Sequence, residues 1–354
     1  MSSIAALVAL ASLISASPPA GPSRLPASVV VDGSAVSAGQ ADGHARAPEF
    51  GPIHIGSILL TGYVQFDGLF PLGDHDADHT GTFRIRRARV YAGADLSPQI
   101  GFMLSVDAVA SPILLDAYLA LRPMNAVNIR AGQFVAPYSL ERLTSTRDLE
   151  AIDRVVDRFV PARDMGVMVF NNRPFGKQLL YSVAVINGTG QNTRDNNDAK
   201  DFVGRVVWRV PQVKAVSIGA NAQSGKQPTG MRTRWGADVN VERGAYRLAA
   251  EYVHQAQEWG GRTGYGFYVL ARRRFRPAGT ERTDSGEAVV RLVETRDPNE
   301  IAGGVVGIRR REVQAGGNYY FSRNARIMAD AFVPVDRPTG TPRMTLVTRV
   351  QFMF

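Results

Sequence analysis

Residues 346–354 read LVTRVQFMF. Leu346, Thr348, Val350, Phe352 and Phe354 fall on one face of a period-two chain, and Val347, Arg349, Gln351 and Met353 on the other. That period belongs to a β-strand, whose successive side chains point to opposite faces. The rhythm continues upstream. Ala325, Ile327, Ala329, Ala331 and Val333 alternate with Arg326, Met328, Asp330 and Phe332. Thr233, Trp235, Ala237, Val239 and Val241 alternate with Arg232, Arg234, Asp238, Asn240 and Glu242, and Phe202, Val206 and Trp208 with Arg205 and Arg209. One face is apolar with aromatics near strand ends; the other is charged. A sandwich and a barrel share this pattern.

Connection lengths separate the two. About 16 such segments run from Gly56 to Phe354, an even number of the kind found in bacterial barrels. Short links (Leu96–Gln99, Arg122–Ala126, Val210–Gln212, Arg243–Gly244, Ser322–Asn324) mostly alternate with long ones (Gly68–Gly81, Val135–Arg163, Asn187–Ala199, Gln255–Arg262, Arg296–Arg310). Short turns on one rim and long loops on the other mark an outer-membrane barrel. Val109–Pro112, short where a long loop is due, and Pro277–Ser285, long where a turn is due, break the rule. Mean hydropathy is only -0.11. No run approaches the ~20 apolar residues of a spanning helix. The expectation is an all-β fold: a closed antiparallel transmembrane β-barrel of about 16 strands, placed in the bacterial outer membrane. The terminal Phe354 resembles the signal read by barrel assembly machinery, which would make that machinery a partner alongside outer-membrane lipid.

The chain carries 41 basic and 32 acidic residues, for a net charge of +9. Only Lys177, Lys200, Lys214 and Lys226 are lysines. Arginine suits two-point contact with carboxylates and phosphates. The arginines are spread over many segments beside acids, with no single basic stripe, which argues against nucleic acid as a partner. There is no cysteine, hence no disulfide or thiolate metal site. Ile4–Ala16 is an apolar stretch of signal-peptide length that lacks a basic lead. The expected organisation is a signal-like segment over residues 1–20, a Pro/Ala/Gly-rich lead-in over 21–55, and a barrel over 56–354.

The connection Val135–Arg163 holds the functional expectation. Leu149, Ile152, Val155, Val156 and Phe159 recur at helical spacing, and Glu150, Arg154 and Arg158 stack on another face. A short amphipathic helix in this third loop needs an apolar surface to cover it. The inner barrel wall supplies one, so the loop is expected to fold inward and narrow the channel. Its arginines, Arg142, Arg147, Arg154, Arg158 and Arg163, face Glu141, Asp148, Glu150, Asp153 and Asp157 in the same segment. Strand parity places Arg87, Arg89, Arg130, Arg205 and Arg209 in the lumen, with Arg232, Arg234, Arg247, Arg291 and Arg349. Acidic residues of the same parity are Asp67, Asp95, Asp107, Asp116, Asp238, Glu242, Glu251, Glu312 and Asp330. Signs so nearly balanced predict a general diffusion channel for small polar or anionic solutes with mild anion preference, rather than a one-signed ladder.

Asp74, His75, Asp76, Asp78 and His79 crowd the first long loop, where a solvated loop is the expectation over a metal site. Asp195, Asn196, Asn197 and Asp198 read as turn formers. Of the five histidines, only His254 falls in an expected strand, on the lipid-facing parity with Tyr252. No acid–base–nucleophile set is visible, so neither catalysis nor a cofactor is expected. The alternatives are a plugged barrel with a structural or adhesin role, and an outer-membrane hydrolase.

Four blocks resemble the phosphate-selective porin O and P family. They are FRIRRARVYAGADL (Phe83–Leu96), VNIRAGQFVAPYSLERLTSTRDL (Val127–Leu149), PARDMGV (Pro161–Val167) and NGTGQNTRDNNDAKDFVGRVVW (Asn187–Trp208). The resemblance implies a 16-stranded porin, usually a trimer, with the third loop folded inward, and leaves open how far phosphate is preferred.

Overall fold

The computed structural model describes residues 53–55, 58–74, 76, 80–124, 126–171, 174, 178–211, 213, 215–228, 230–257, 263–275, 285–301, 304–337 and 340–354. The expected signal segment, nearly all of the lead-in, His75, Asp78, His79 and residues 277–284 lie outside them. Sixteen strands close the barrel: β2 (Ile58–Leu72), β3 (Thr82–Ser97), β4 (Ile100–Asp107), β5 (Leu114–Met124), β6 (Val127–Val135), β7 (Arg163–Phe170), β8 (Leu179–Ile186), β9 (Asp201–Arg209), β10 (Val216–Gln227), β11 (Gly230–Arg243), β12 (Tyr246–Gln257), β13 (Thr263–Phe275), β14 (Ser285–Ile301), β15 (Gly304–Tyr320), β16 (Ala325–Pro334) and β17 (Met344–Met353). Each pairs antiparallel with its chain neighbours, and β17 returns to β2 from Met344↔Leu72 to Met353↔Tyr63. A short β1 (Ile53–Ile55), the last residues of the expected lead-in, extends the β2 edge.

Closure leaves no open edge, which is what a lipid solvent demands of backbone groups. At the seam the Phe354 and Gly62 backbones each donate an N–H to the other's carbonyl at 3.0 Å. Gly62 has to be glycine: a Cβ there would sit 2.6 Å from the Phe354 ring and 2.4 Å from the Arg89 carbonyl.

The alternation sorts the wall as expected. Phe352, Phe202 and Trp235 are exposed on the outer face, whereas Arg326, Asp330, Arg349 and Gln351 are buried inside. A charge turned to the bilayer midplane would cost about 2–4 kcal/mol. The one break in parity that matters here lies in β3. Gln65 faces Arg87 and Phe66 faces Ile85, so Arg86 is an extra residue in a β-bulge. Arg84, Arg86, Arg87 and Arg89 therefore all reach acids inside the barrel.

Loop lengths mostly alternate as expected, but strands reach into the expected loops: β2 runs on to Leu72, past Gly68, and β12 to Gln257, past Gln255. Arg296–Arg310, read as a loop, is mostly strand: β14 and β15 pair as far as Ile301↔Gly304. Beyond the lipid a strand no longer needs one apolar face, so alternation fades while pairing continues. The third loop spans residues 136–162 between β6 and β7, as its flanking patterns indicated.

Candidate channel constriction

The third loop turns into the barrel, and its short helix is α1 (Leu140–Leu143), followed by a 3-10 turn at Asp157–Phe159. No helix runs along Leu149–Phe159, where the spacing had suggested one. The physical reason lies in the wall, whose side chains take the peptide groups a helix would pair internally. Arg326 donates to the Leu149 carbonyl at 3.0 Å and Asn318 to Glu150 at 2.9 Å, and just upstream Gln65 holds the Thr146 carbonyl at 3.1 Å and Gln351 that of Arg147 at 3.0 Å. Asp330 accepts the Ile152 N–H at 2.6 Å, and Arg291 reaches the carbonyls of Ile152 (3.3 Å) and Asp153 (3.0 Å). Asp153 itself sits at φ 63°, a left-handed conformation that interrupts a right-handed helix.

The apolar side chains do pack on the inner wall, in two places rather than along one stripe. Ile152 packs with Met328 of β16 and Val347 of β17. Val156 and Phe159 join Val253, Tyr268 and Val289 on the far side. Gly266 of β13 forms part of their seat: a Cβ there would meet the Phe159 ring at 2.8 Å and Val156 at 3.1 Å.

Charge clasps the loop as well. Glu251 of β12 accepts the N–H groups of Leu140 and Glu141, both at 2.9 Å. The Ser139 hydroxyl caps α1 by accepting the Arg142 N–H at 3.0 Å. Glu141 is buried at the middle of the loop and takes the Val155 (2.8 Å) and Val156 (3.0 Å) N–H groups. It also pairs with the buried Arg291 at 2.8 Å. Burial pushes the Glu141 carboxyl up, against the pull of Arg291.

Asp153 is the point where arginines converge. Arg349 lies 3.2 Å away, Arg87 3.3 Å, Arg86 3.4 Å and Arg84 3.9 Å. Burial alone would raise its pKa, but Arg349, Arg86 and Arg87 outweigh burial and hold the carboxyl well below the usual carboxylate range. Arg349 also grips Asp67 at 2.7 and 2.8 Å, and Arg89 grips Asp107 at 2.8 Å. Arg84 and Arg86 remain about 43% and 35% exposed, so this cluster has a solvent-facing side.

The other arginines expected at the channel occupy distinct places. Arg142 meets Asp157 at 3.1 Å, and burial pushes its guanidinium down to about 10. Arg154 turns back into the loop and donates to the carbonyls of Glu141 (2.9 Å) and Thr144. Arg158 reaches outward to Asp297 on β14 at 2.5 Å. Arg147 lies beside Asp148 at 3.3 Å, and Arg163 holds Asp116 with two bonds of 2.9 Å. Arg205 pairs with Asp238 at 2.6 Å, and Arg130 lies 4.1 Å from the Tyr118 ring. Arg209 is half-buried at the end of β9. Parity missed Arg84 and Arg86. The adjacent Arg86 and Arg87 were the available signal, because two neighbouring charges within a strand cannot both avoid lipid without a bulge. Among the described residues no group of three or more His, Cys, Asp or Glu comes together as a metal site.

Comparison with known proteins agrees with this architecture. The profile of the family described as phosphate-selective porin O and P matches residues 59–258, more than half of the chain. No curated sequence matches significantly. Similar solved structures include OmpF of Salmonella typhi in complex with daunomycin, with TM-score 0.61, 12% identity, and coverage of 84% of this chain and 97% of that one. OmpT of Vibrio cholerae aligns with TM-score 0.57 and 10% identity over 86% of this chain and 100% of that one. The outer-membrane channel DcaP of Acinetobacter baumannii gives TM-score 0.53 and 11% identity over 84% and 97%. At these identities the structures speak to fold, and the family match carries the assignment: the chain belongs to the phosphate-selective porin O and P family and is a diffusion channel of the bacterial outer membrane.

Proposed function

We propose that this porin passes small hydrophilic solutes passively, with a mild preference for anions, phosphate among them, set where the third loop meets β3 and β17. The observation that carries this reading is the cluster around Asp153. Five arginines (Arg84, Arg86, Arg87, Arg89, Arg349) meet three carboxylates (Asp67, Asp107, Asp153). The excess favours anions, because guanidinium donors replace part of an anion's hydration. The carboxylates temper that excess, so the preference stays mild. Arg142, Arg147, Arg158 and Arg163, with Arg130, Arg205 and Arg209 on the wall, add to the field rather than forming dedicated binding sites. Arg154 positions the loop.

Passive diffusion asks for neither catalysis nor a cofactor, and His254 stacks on Trp235 at 5.3 Å. A homotrimer is the assembly we favour, since in-vitro folded OmpT of Vibrio cholerae has a trimer form. Export by a signal within residues 1–20, ahead of a barrel over 56–354, fits this reading, as does recognition of Phe354 by the assembly machinery.

One observation favours a second reading, a plugged barrel of structural or adhesive role. Gln65, Asp67, Arg291, Arg326, Arg349 and Gln351 are all at most 1% exposed. Planar-bilayer recording separates the two. The channel reading expects steady conductance and a reversal potential displaced toward the anion side in a potassium chloride gradient. Clear cation preference would refute the selectivity, and absence of conductance would favour the plug.

A further inference from the structure

The outer face of β13–β15 changes character toward the long-loop rim, and cross-strand register orders the change. Val269, Leu292, Val313 and Val333 are direct neighbours in one apolar row. One step toward the rim the row is Phe267, Glu294 and Arg311. One step farther it is Tyr265, Arg296 and Arg309, continuing back to His254 and Trp235. An apolar row, then an aromatic, then aromatics with arginines is the order expected where lipid tails give way to headgroups.

The arginines here are arranged rather than scattered. Arg309 meets Glu294 at 2.7 Å, and the Tyr265 hydroxyl donates to the other Glu294 oxygen at 2.6 Å. Arg311 meets Asp336 through two bonds of 2.7 and 2.5 Å. The two arginine side chains stay about 54% and 44% exposed. A guanidinium has five N–H donors, so each keeps donors for a further acceptor. Arg296, directly opposite Arg309 in register, is exposed and makes no ion pair among the described residues. Three arginines against two carboxylates leave positive charge on the outside of the wall, where no solute in the lumen passes.

We propose that this face binds the phosphate-bearing headgroup of an outer-leaflet glycolipid, its acyl chains lying on Val269, Leu292 and Phe267. Charge and geometry favour a phosphate over a carboxylate peptide: the acceptor would meet several fork-shaped donors directly above an apolar surface.

Native mass spectrometry of the full detergent-solubilised protein tests this, with bisphosphorylated lipid A and its dephosphorylated form as probes. The wild type is expected to hold the phosphorylated probe at least about tenfold more tightly, and Arg309→Gln/Arg311→Gln to lose about tenfold of that affinity. Millimolar inorganic phosphate should not displace the lipid. Equal binding of the two probes by the wild type, which needs no variant to fold, overturns the proposal. Displacement by inorganic phosphate also overturns it, since the site would then take a free anion.

Discussion

Asp153 in the third loop lies 3.2 Å from Arg349 of β17, and Arg349 at the same time holds Asp67 of β2 at 2.7 and 2.8 Å. One guanidinium thus ties the constriction to the barrel seam. Asp153→Asn removes negative charge from beneath four arginines while keeping the side-chain size. It is expected to shift the reversal potential further toward the anion side. No shift, in a barrel that folds and inserts normally, would mean that permeating ions do not sense this cluster.

Acid should reach this clasp late. The Asp153 carboxyl is held below its ordinary value, so its contribution to loop stability is complete above the unfolded carboxylate range near ~4 and is lost only as pH falls through the lower folded value. Glu141 is shifted the other way. Its proton uptake on acidification therefore favours the folded loop instead of opposing it. Open-channel conductance and noise are expected to stay level from neutral pH to about 4. A step increase near pH 6 would contradict this assignment.

Gly266 seats Phe159 and Val156. Gly266→Val should push the 3-10 turn off β13, an overpacking cost of about 1–3 kcal/mol. The barrel should still resist heat and detergent on gels, because the wall hydrogen bonds remain. Channel recordings should show larger, noisier currents. Unchanged currents would argue that this contact does not hold the loop.

The strands could be read from sequence because lipid enforces period two, and the loop bounds because alternation stops at Val135 and resumes at Arg163. The fold of that loop could not. Ile152, Val156 and Phe159 share helical spacing, yet they are buried against two separate wall patches, and spacing records burial without saying by what. The helix also lost its hydrogen bonds to Arg291, Asn318 and Arg326, whose sequence distance hides them. Arg84 and Arg86 were hidden by a one-residue bulge that inverts parity in the first half of β3.

Glu141 and Arg291 form a buried pair at 2.8 Å between loop and wall. Removing one partner leaves an unpaired buried charge, worth about 3–5 kcal/mol. Glu141→Ala should therefore loosen the loop more than Glu141→Ala/Arg291→Met, and the single variant should show the greater current noise. The reverse order would place the pair outside the constriction's support.

The most direct test of the constriction is the single-channel conductance of the wild type against a variant lacking residues 146–159, in the same salt. Burying each large apolar side chain of this segment holds it by about 1.5–3 kcal/mol, so the segment occupies the lumen persistently. The deletion is expected to insert normally and conduct several-fold more, because the obstruction goes and the wall stays. A deleted form that inserts normally and conducts no more than the intact protein would show that the third loop does not limit the pore.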